Sequence, residues 1–411
     1  SSARWKRVLR DAIVELRMPP KDQQEIPIQP PNRPILCGPY DEPTAHWVYG
    51  QDSGEAIEMA GRREAGYWYT TERTGSAQMS LLAEEQRDDL PLINALRDDV
   101  KRWRALDYEG ATQVTKQLLR QWSREDLPRR LFFCQREAVE TVIYLTEILG
   151  SGRKPRWTPK LSVEDYRRLC GGERPEFMGD VGKTVFPSLV DVPNGDISAP
   201  LRRYGCKMAT GSGKTVVMAM LIAWAFCNRG AVPGDDRFPA AAIAVCPNLT
   251  IKERLQVLRP DHTGNYYEQF DLVPSQLMGH LRRGKVVVTN WHRFLPQSPH
   301  AESGKSYAVV DKGDEPPDAF ARRVLGALYD QAPVMVLNDE AHHAYRPAPV
   351  EERGEKLTKE EKGERAQATV WIEGLDKINQ ARGVKFCVDL SATPFYLHGS
   401  GHIEGSPFPW L

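Results

Sequence analysis

Residues 208–215 read Met-Ala-Thr-Gly-Ser-Gly-Lys-Thr, and an apolar run follows at once from Val216 to Cys227. Gly211 and Gly213 let the backbone turn with its N–H groups aimed inward at anionic oxygens. The run after them reads as a buried helix, whose first N–H groups are unpaired and carry a partial positive charge. Upstream, Tyr204, Cys206 and Met208 alternate with other residues, as a short strand would. Strand, glycine turn and helix together form a phosphate cradle. Thr210, Gly211, Ser212 and Gly213 line it. Lys214 can reach the β- and γ-phosphates of a nucleotide, and the Thr215 hydroxyl can ligate Mg²⁺.

A second Gly-Lys-Thr ends the stretch Gly179–Thr184. No clear strand precedes it, and Pro187 follows where a helix would have to run. Without the helix there is no row of unpaired N–H groups, so this stretch is expected to be a loop.

Four more apolar runs follow the cradle, at 240–246, 286–290, 334–337 and 386–390. Each is short and bounded by turn or polar residues, as buried parallel strands are. Helical patterns separate them, at 248–259 and 318–330 among others. The expected fold is therefore α/β, a doubly wound parallel sheet flanked by helices. In such sheets ligands sit at the carboxyl ends of the strands. There stand Thr210, Pro247-Asn248, Thr289-Asn290, Asp339-Glu340 and Ser391-Ala392-Thr393.

Asp339 and Glu340 have a natural division of labour at such an edge. One carboxylate can hold Mg²⁺ through water, since that ion keeps much of its hydration shell. The other can orient or deprotonate the water that attacks the γ-phosphate. Asp339 takes the first role in this reading and Glu340 the second, with Lys214 as their catalytic partner. The expected cofactors are ATP and Mg²⁺.

Ala209–Thr215 and Asp339-Glu340-Ala341-His342 resemble the phosphate loop and acidic motif of DEAH-type superfamily 2 motors. Leu390-Ser391-Ala392-Thr393-Pro394 resembles their next motif. A closer resemblance is to the Res, or helicase-nuclease, subunit of type III restriction enzymes. It is carried by Phe132–Gln135, Lys207–Thr215, Val288–His292, Leu337–His343 and Asp389–Tyr396. The resemblance implies a RecA-like domain and an ATP-dependent motor on duplex DNA. It implies that Gln135 reads adenine, whose N6 and N7 need a donor and an acceptor that one amide supplies. It implies that Pro247, Asn248, Thr289 and Asn290 contact nucleic-acid backbone. His342 or His343, with the Ser391 and Thr393 hydroxyls, would couple hydrolysis to movement.

The family motor closes ATP between two RecA-like domains, and its nuclease lies beyond them. Neither a second motor domain nor a nuclease site is read in these 411 residues, so the expectation is half a motor. A methyltransferase or specificity subunit is the partner that the resemblance implies. Residues 1–128 are read as an accessory region, mostly helical with a small sheet. The motor domain is read as 129–411, with insertions at 150–200 and 347–382.

In the accessory region, residues 1–16 read as an amphipathic helix, followed by a proline-rich connection. Trp47–Gly50 and Gly66–Tyr69 are expected to be two strands of one sheet. Their aromatic side chains either pack a small core or stack on bases. Residues 79–127 read as two helices. Arg153–Trp157 forms a basic-aromatic cluster, either a solvated loop or a contact for nucleic-acid backbone.

Acidic and basic residues balance at 55 each, so any nucleic-acid partner meets local basic patches and not a global field. No segment approaches the ~20 apolar residues that span a membrane. Seven cysteines without a Cys-x-x-Cys pair argue against a zinc site and for a reducing, cytoplasmic setting. His398 and His402 lie among glycines that oppose a helical metal pair. Two rival functions stay open: a module that binds ATP and nucleic acid without turnover, and an RNA helicase.

Overall fold

The computed structural model describes residues 31, 33–49, 55–70, 85–176, 187–193, 199–295, 315–348, 357–396, 400–402 and 405–411. The N-terminal helix expected at 1–16, the second Gly-Lys-Thr at 182–184 and His398 lie outside these residues. The chain divides into two units, residues 1–63 and 64–411.

In the first unit β1 (Ala45–Tyr49) pairs antiparallel with β2 (Ala56–Ala60). In the second, β3 (Gly66–Thr70) pairs antiparallel with β4 (Glu85–Asp89). The two aromatic runs expected to pair with each other thus belong to separate hairpins. Neither true partner strand announces itself, since Glu85–Asp89 is almost wholly charged. Tyr67 is buried, whereas Tyr49 is exposed.

The remaining strands are β5 (Val190–Asp191), β6 (Leu201–Lys207), β7 (Ala241–Cys246), β8 (Lys285–Asn290), β9 (Val334–Asp339) and β10 (Val384–Ser391). Among the described residues they form one six-stranded sheet in the order β5-β6-β10-β9-β7-β8. Only β5 runs antiparallel to its neighbour. The α/β expectation therefore holds, as a mostly parallel sheet.

Period-two alternation sorts the strand residues onto two faces. Ala242, Ala244, Met335, Leu337, Phe386 and Val388 join one core. Ala241, Ile243, Val245, Val334, Val336 and Cys387 join the other. Over the first face lie α1 (Pro91–Ala105), α2 (Gln113–Trp122), α3 (Phe133–Ile143), α4 (Val163–Gly171) and α5 (Lys214–Ala231). Short α6 (Leu249–Arg254), α7 (Tyr266–Gln269) and α8 (Met278–Leu281) follow β7. The second face is covered by α9 (Pro317–Leu325) and α10 (Lys359–Arg382).

Helix α5 is buried on every side from Val216 to Asn228, as its continuous apolar run requires. Trp103 of α1 and Leu118 and Trp122 of α2 share its core, at the expected helical spacing. So residues 91–122, read from sequence as part of an accessory region, sit in the same core as the phosphate-loop helix. Trp157 packs there too, stacked on Tyr144 at 6.3 Å, and Arg156 pairs with Glu109 at 3.2 Å. On α10 the apolar spacing of Trp371, Leu375 and Ile378 places all three in the second core.

Candidate nucleotide site

Strand β6 ends at Lys207, and the Met208 N–H donates to the Ser391 carbonyl at 2.8 Å, so the glycine turn starts anchored to β10. The turn itself closes when Ser212 donates to the Ala209 carbonyl, from both its N–H and its hydroxyl. Gly211 and Gly213 lie at φ +81 and +89, a left-handed region that side chains disfavour. Gly213 has a second reason to lack a side chain. A Cβ there would stand 2.1 Å from Gln135 Nε2. Helix α5 begins at Lys214 with no side-chain cap on its first N–H groups. Thr210 and Gly211 are exposed, and Ser212, Gly213, Lys214 and Thr215 are half-buried.

The loop after β9 meets this turn. Lys214 Nζ lies 2.6 Å from Glu340 Oε1, across 126 residues of sequence. Glu340 adopts φ +49, uncommon for a residue with a side chain. Its own N–H donates to Asp339 Oδ1 at 3.1 Å, and the His343 N–H donates to its carbonyl.

Asp339 is buried, and its pKa is pushed up to about 6, first by desolvation and then by the charge of Glu340. A divalent cation at this carboxylate would relieve both causes. Among the described residues no cluster of three or more His, Cys, Asp or Glu could hold a metal. The Asp339 carboxylate could hold Mg²⁺ with water and phosphate oxygens completing the shell, as that ion prefers, and the half-buried Thr215 in the first turn of α5 is the candidate hydroxyl ligand.

His342 Nδ1 and Ser391 Oγ are 2.9 Å apart, joining the β9 turn to the end of β10. Burial and the neighbouring His343 lower the His342 pKa to about 4, so the ring is neutral near pH 7. Its approach to Glu340 Oε2 at 3.6 Å is then not an ion pair. The Thr393 N–H also donates to Ser391 Oγ, at 3.0 Å. The His343 ring lies beside that of His342, with centroids 4.2 Å apart and the planes tilted by 41°.

Gln135 is not presented openly. Its Oε1 accepts from the Phe132 N–H, and its Nε2 donates to the Ser212 carbonyl at 2.9 Å. The residue expected to read adenine thus also ties α3 to the glycine turn. The expected nucleic-acid residues divide in a similar way. Pro247 is half-buried, and Asn248 is exposed while its Oδ1 caps α6 through the Ile251 N–H. Thr289 and Asn290 are buried, and Asn290 Nδ2 meets His292 Nδ1 at 3.3 Å. Exposed neighbours that the sequence reading left out are Leu249, Thr250, His292 and Arg293. Only the strand-end position gave a signal for them.

Residues 134–396 match the family described as "Type III restriction enzyme, res subunit". This chain belongs to that family. The res-subunit match spans well over half of the 411 residues and contains the glycine turn, the acid pair and the Ser391–Thr393 segment. It makes the domain a helicase-like ATPase motor module. Among solved structures the UvsW helicase from bacteriophage T4 is similar at 15% identity with a TM-score of 0.23. The match covers 47% of each chain, so this chain spans about half the length of that helicase. Curated proteins give no match. In the described residues no helix is long and apolar enough to cross a membrane.

Proposed function

We propose that this res-family chain supplies the first motor domain of a DNA translocase of restriction type, hydrolysing ATP to ADP and phosphate to move on duplex DNA. The observation that carries the reading is the 2.6 Å contact between Lys214 Nζ and Glu340 Oε1. It brings the lysine of the glycine turn and the acid pair to one point at the strand ends.

Lys214 would exchange Glu340 for the β- and γ-phosphate oxygens. Glu340, released, would orient and deprotonate the attacking water. Mg²⁺ held by Asp339 and Thr215 would neutralise phosphate charge. Thr210 to Gly213 would wrap the phosphates, and Gln135 would face adenine with the donor and acceptor capacity that its two internal bonds leave. His342 and Ser391 would pass the change at Glu340 into β10, with His343 and Thr393 beside them. Pro247 and Asn248 would contact the nucleic-acid backbone, with Thr289 and Asn290 shaping the turn that presents His292 and Arg293.

The reading includes completion by a second motor domain, with a nuclease beyond it and a methyltransferase or specificity subunit as partner, in the cytoplasm. The motor proper would run from 129 to 411 and recruit residues 1–128 as its accessory region. In this reading an arginine finger from that second domain contributes ~10³–10⁵ in rate.

Glu340→Gln tests the assignment. Hydrolysis should fall by ~10²–10⁴ while ATP binding persists. Equal turnover in the variant and the parent would remove Glu340 from the chemistry. Comparing duplex DNA with RNA as stimulators decides the substrate, and stronger stimulation by RNA would replace DNA in this reading.

A further inference from the structure

On the second face of the sheet the apolar rows turn polar as they approach the nucleotide edge. In β10 the row runs Cys387, Asp389, Ser391, and in β9 it runs Val334, Val336, Asn338. Arg203 of β6 lies on the same face and is wholly buried. Its Nε donates to Asp389 Oδ2 at 2.7 Å, and its Nη1 donates to Asp191 Oδ2 at 2.8 Å. The third arm, Nη2, donates to the Ala344 carbonyl at 2.5 Å. The Trp410 ring closes over the guanidinium at 4.1 Å. Asp389 Oδ1 is taken by Asn338 Nδ2 at 2.7 Å, so the aspartate is fixed from both neighbouring strands.

Burial by itself would lower the Arg203 pKa, and Asp389 and Asp191 more than reverse this. The group therefore stays charged, and its planar fork makes bonds in three directions that a lysine could not copy. Two of those bonds have a particular placement. Ala344 follows His342 by two residues, and Asp389 precedes Ser391 by two. Arg203 thus grips both segments that make the His342–Ser391 contact. The segment that follows Ser391 returns to the same spot, where the Gly205 N–H donates to the Trp410 carbonyl at 2.6 Å. A Cβ on Gly205 would meet the Leu411 backbone at 2.9 Å, so glycine permits that approach.

We propose that Arg203 is a positioning residue for ATP hydrolysis. It holds the turn after Glu340 and the end of β10 in the one register at which His342 and Ser391 meet. It acts through that contact. The inference rests on the ATPase reading above, because a contact that relays hydrolysis has no meaning without hydrolysis.

The test is steady-state ATP turnover by the full chain with duplex DNA, for Arg203→Lys, His342→Ala and the double variant. Arg203→Lys keeps the charge and loses the fork. We expect kcat to fall about tenfold with KM for Mg-ATP within about twofold of the parent. The double variant should be no slower than His342→Ala alone. If Arg203→Lys does not fold, Asp191→Asn loosens the guanidinium from its other side and carries the same expectation at several-fold. Unchanged kcat in the variant that folds, KM rising in step with the loss, or effects that multiply in the double variant would overturn the proposal. An unaltered chain that shows no turnover overturns the ATPase reading first, and this inference with it.

Discussion

Two ion pairs, one from Lys214 at the start of α5 to Glu340 in the turn after β9 and one from Arg203 of β6 to Asp389 of β10, are built to opposite ends. Lys214 and Glu340 are 11% and 29% exposed, and each has the other as its main charged partner. Arg203 and Asp389 are 0% and 1% exposed, and every arm of both is bonded. The first pair can be parted by a ligand whose oxygens replace the carboxylate, with water at hand to cover the transition. Parting the second would strand a charge in the core, where its cost is several kcal/mol. In the proposed reading the exchangeable pair marks where chemistry happens, and the fixed pair holds the frame against which it moves.

The difference sets the size and kind of effect expected at each. Glu340→Gln should lower turnover by ~10²–10⁴, the usual contribution of a positioned general base. Its unfolding midpoint in urea should barely move. Asp389→Ala should do the reverse of that in stability, losing about 3–5 kcal/mol by leaving Arg203 half-paired in the core. A urea midpoint equal to the parent's would show that water reaches Arg203, and the two pairs would then be alike.

Asp339 lies between these extremes, buried like the frame but placed with the chemistry. Its pKa is about 6 when folded, above the ordinary 3.8. The folded state therefore holds this proton more tightly than the unfolded state does. The stability it contributes is fully present below about pH 4 and is lost as pH rises through about 6. The shift of about two units bounds the loss at about 3 kcal/mol. In EDTA, Asp339→Asn should be less sensitive than the parent to a move from pH 5 to 7.5. Parallel losses in the two proteins would place the pH dependence elsewhere.

The exchangeable pair was legible in the sequence and the fixed one was not, for a physical reason. Backbone turns that cradle phosphate need glycines at set positions, and paired acids act from adjacent residues, so 208–215 and 338–343 carry their chemistry within a few letters. The sheet followed from the same economy, because strands buried on both faces have to be apolar throughout. Arg203 is separated from Asp191, Ala344 and Asp389 by 12, 141 and 186 residues, and none has a local pattern. Asp389 sits inside a run read as an apolar strand, and the Asp389–Tyr396 resemblance assigned it no role of its own. Glu147 was hidden in the same way. It is a buried acid in an apolar helical stretch, satisfied by Thr115 and Trp224 from two other helices. Strand pairing failed at β3 because Glu85–Asp89 has no apolar face to declare, only a backbone to share.

The smallest expected effect falls on stability at Lys214. A partly exposed pair contributes about 0–1 kcal/mol, since water competes for both ends and long side chains lose freedom on pairing. Lys214→Met should therefore leave the nucleotide-free chain within about 1 kcal/mol of the parent in urea unfolding, while Mg-ATP no longer raises its midpoint. Part of even that small loss should be offset, because the lysine charge now helps keep Asp339 ionised. Without it, the carboxyl would take up a proton more readily and shed some of its desolvation cost. A loss of 3 kcal/mol or more would mean that Lys214 and Glu340 belong to the frame. Their short contact would then be a fixture of the fold, and ligand exchange at that point would have to begin somewhere other than the lysine.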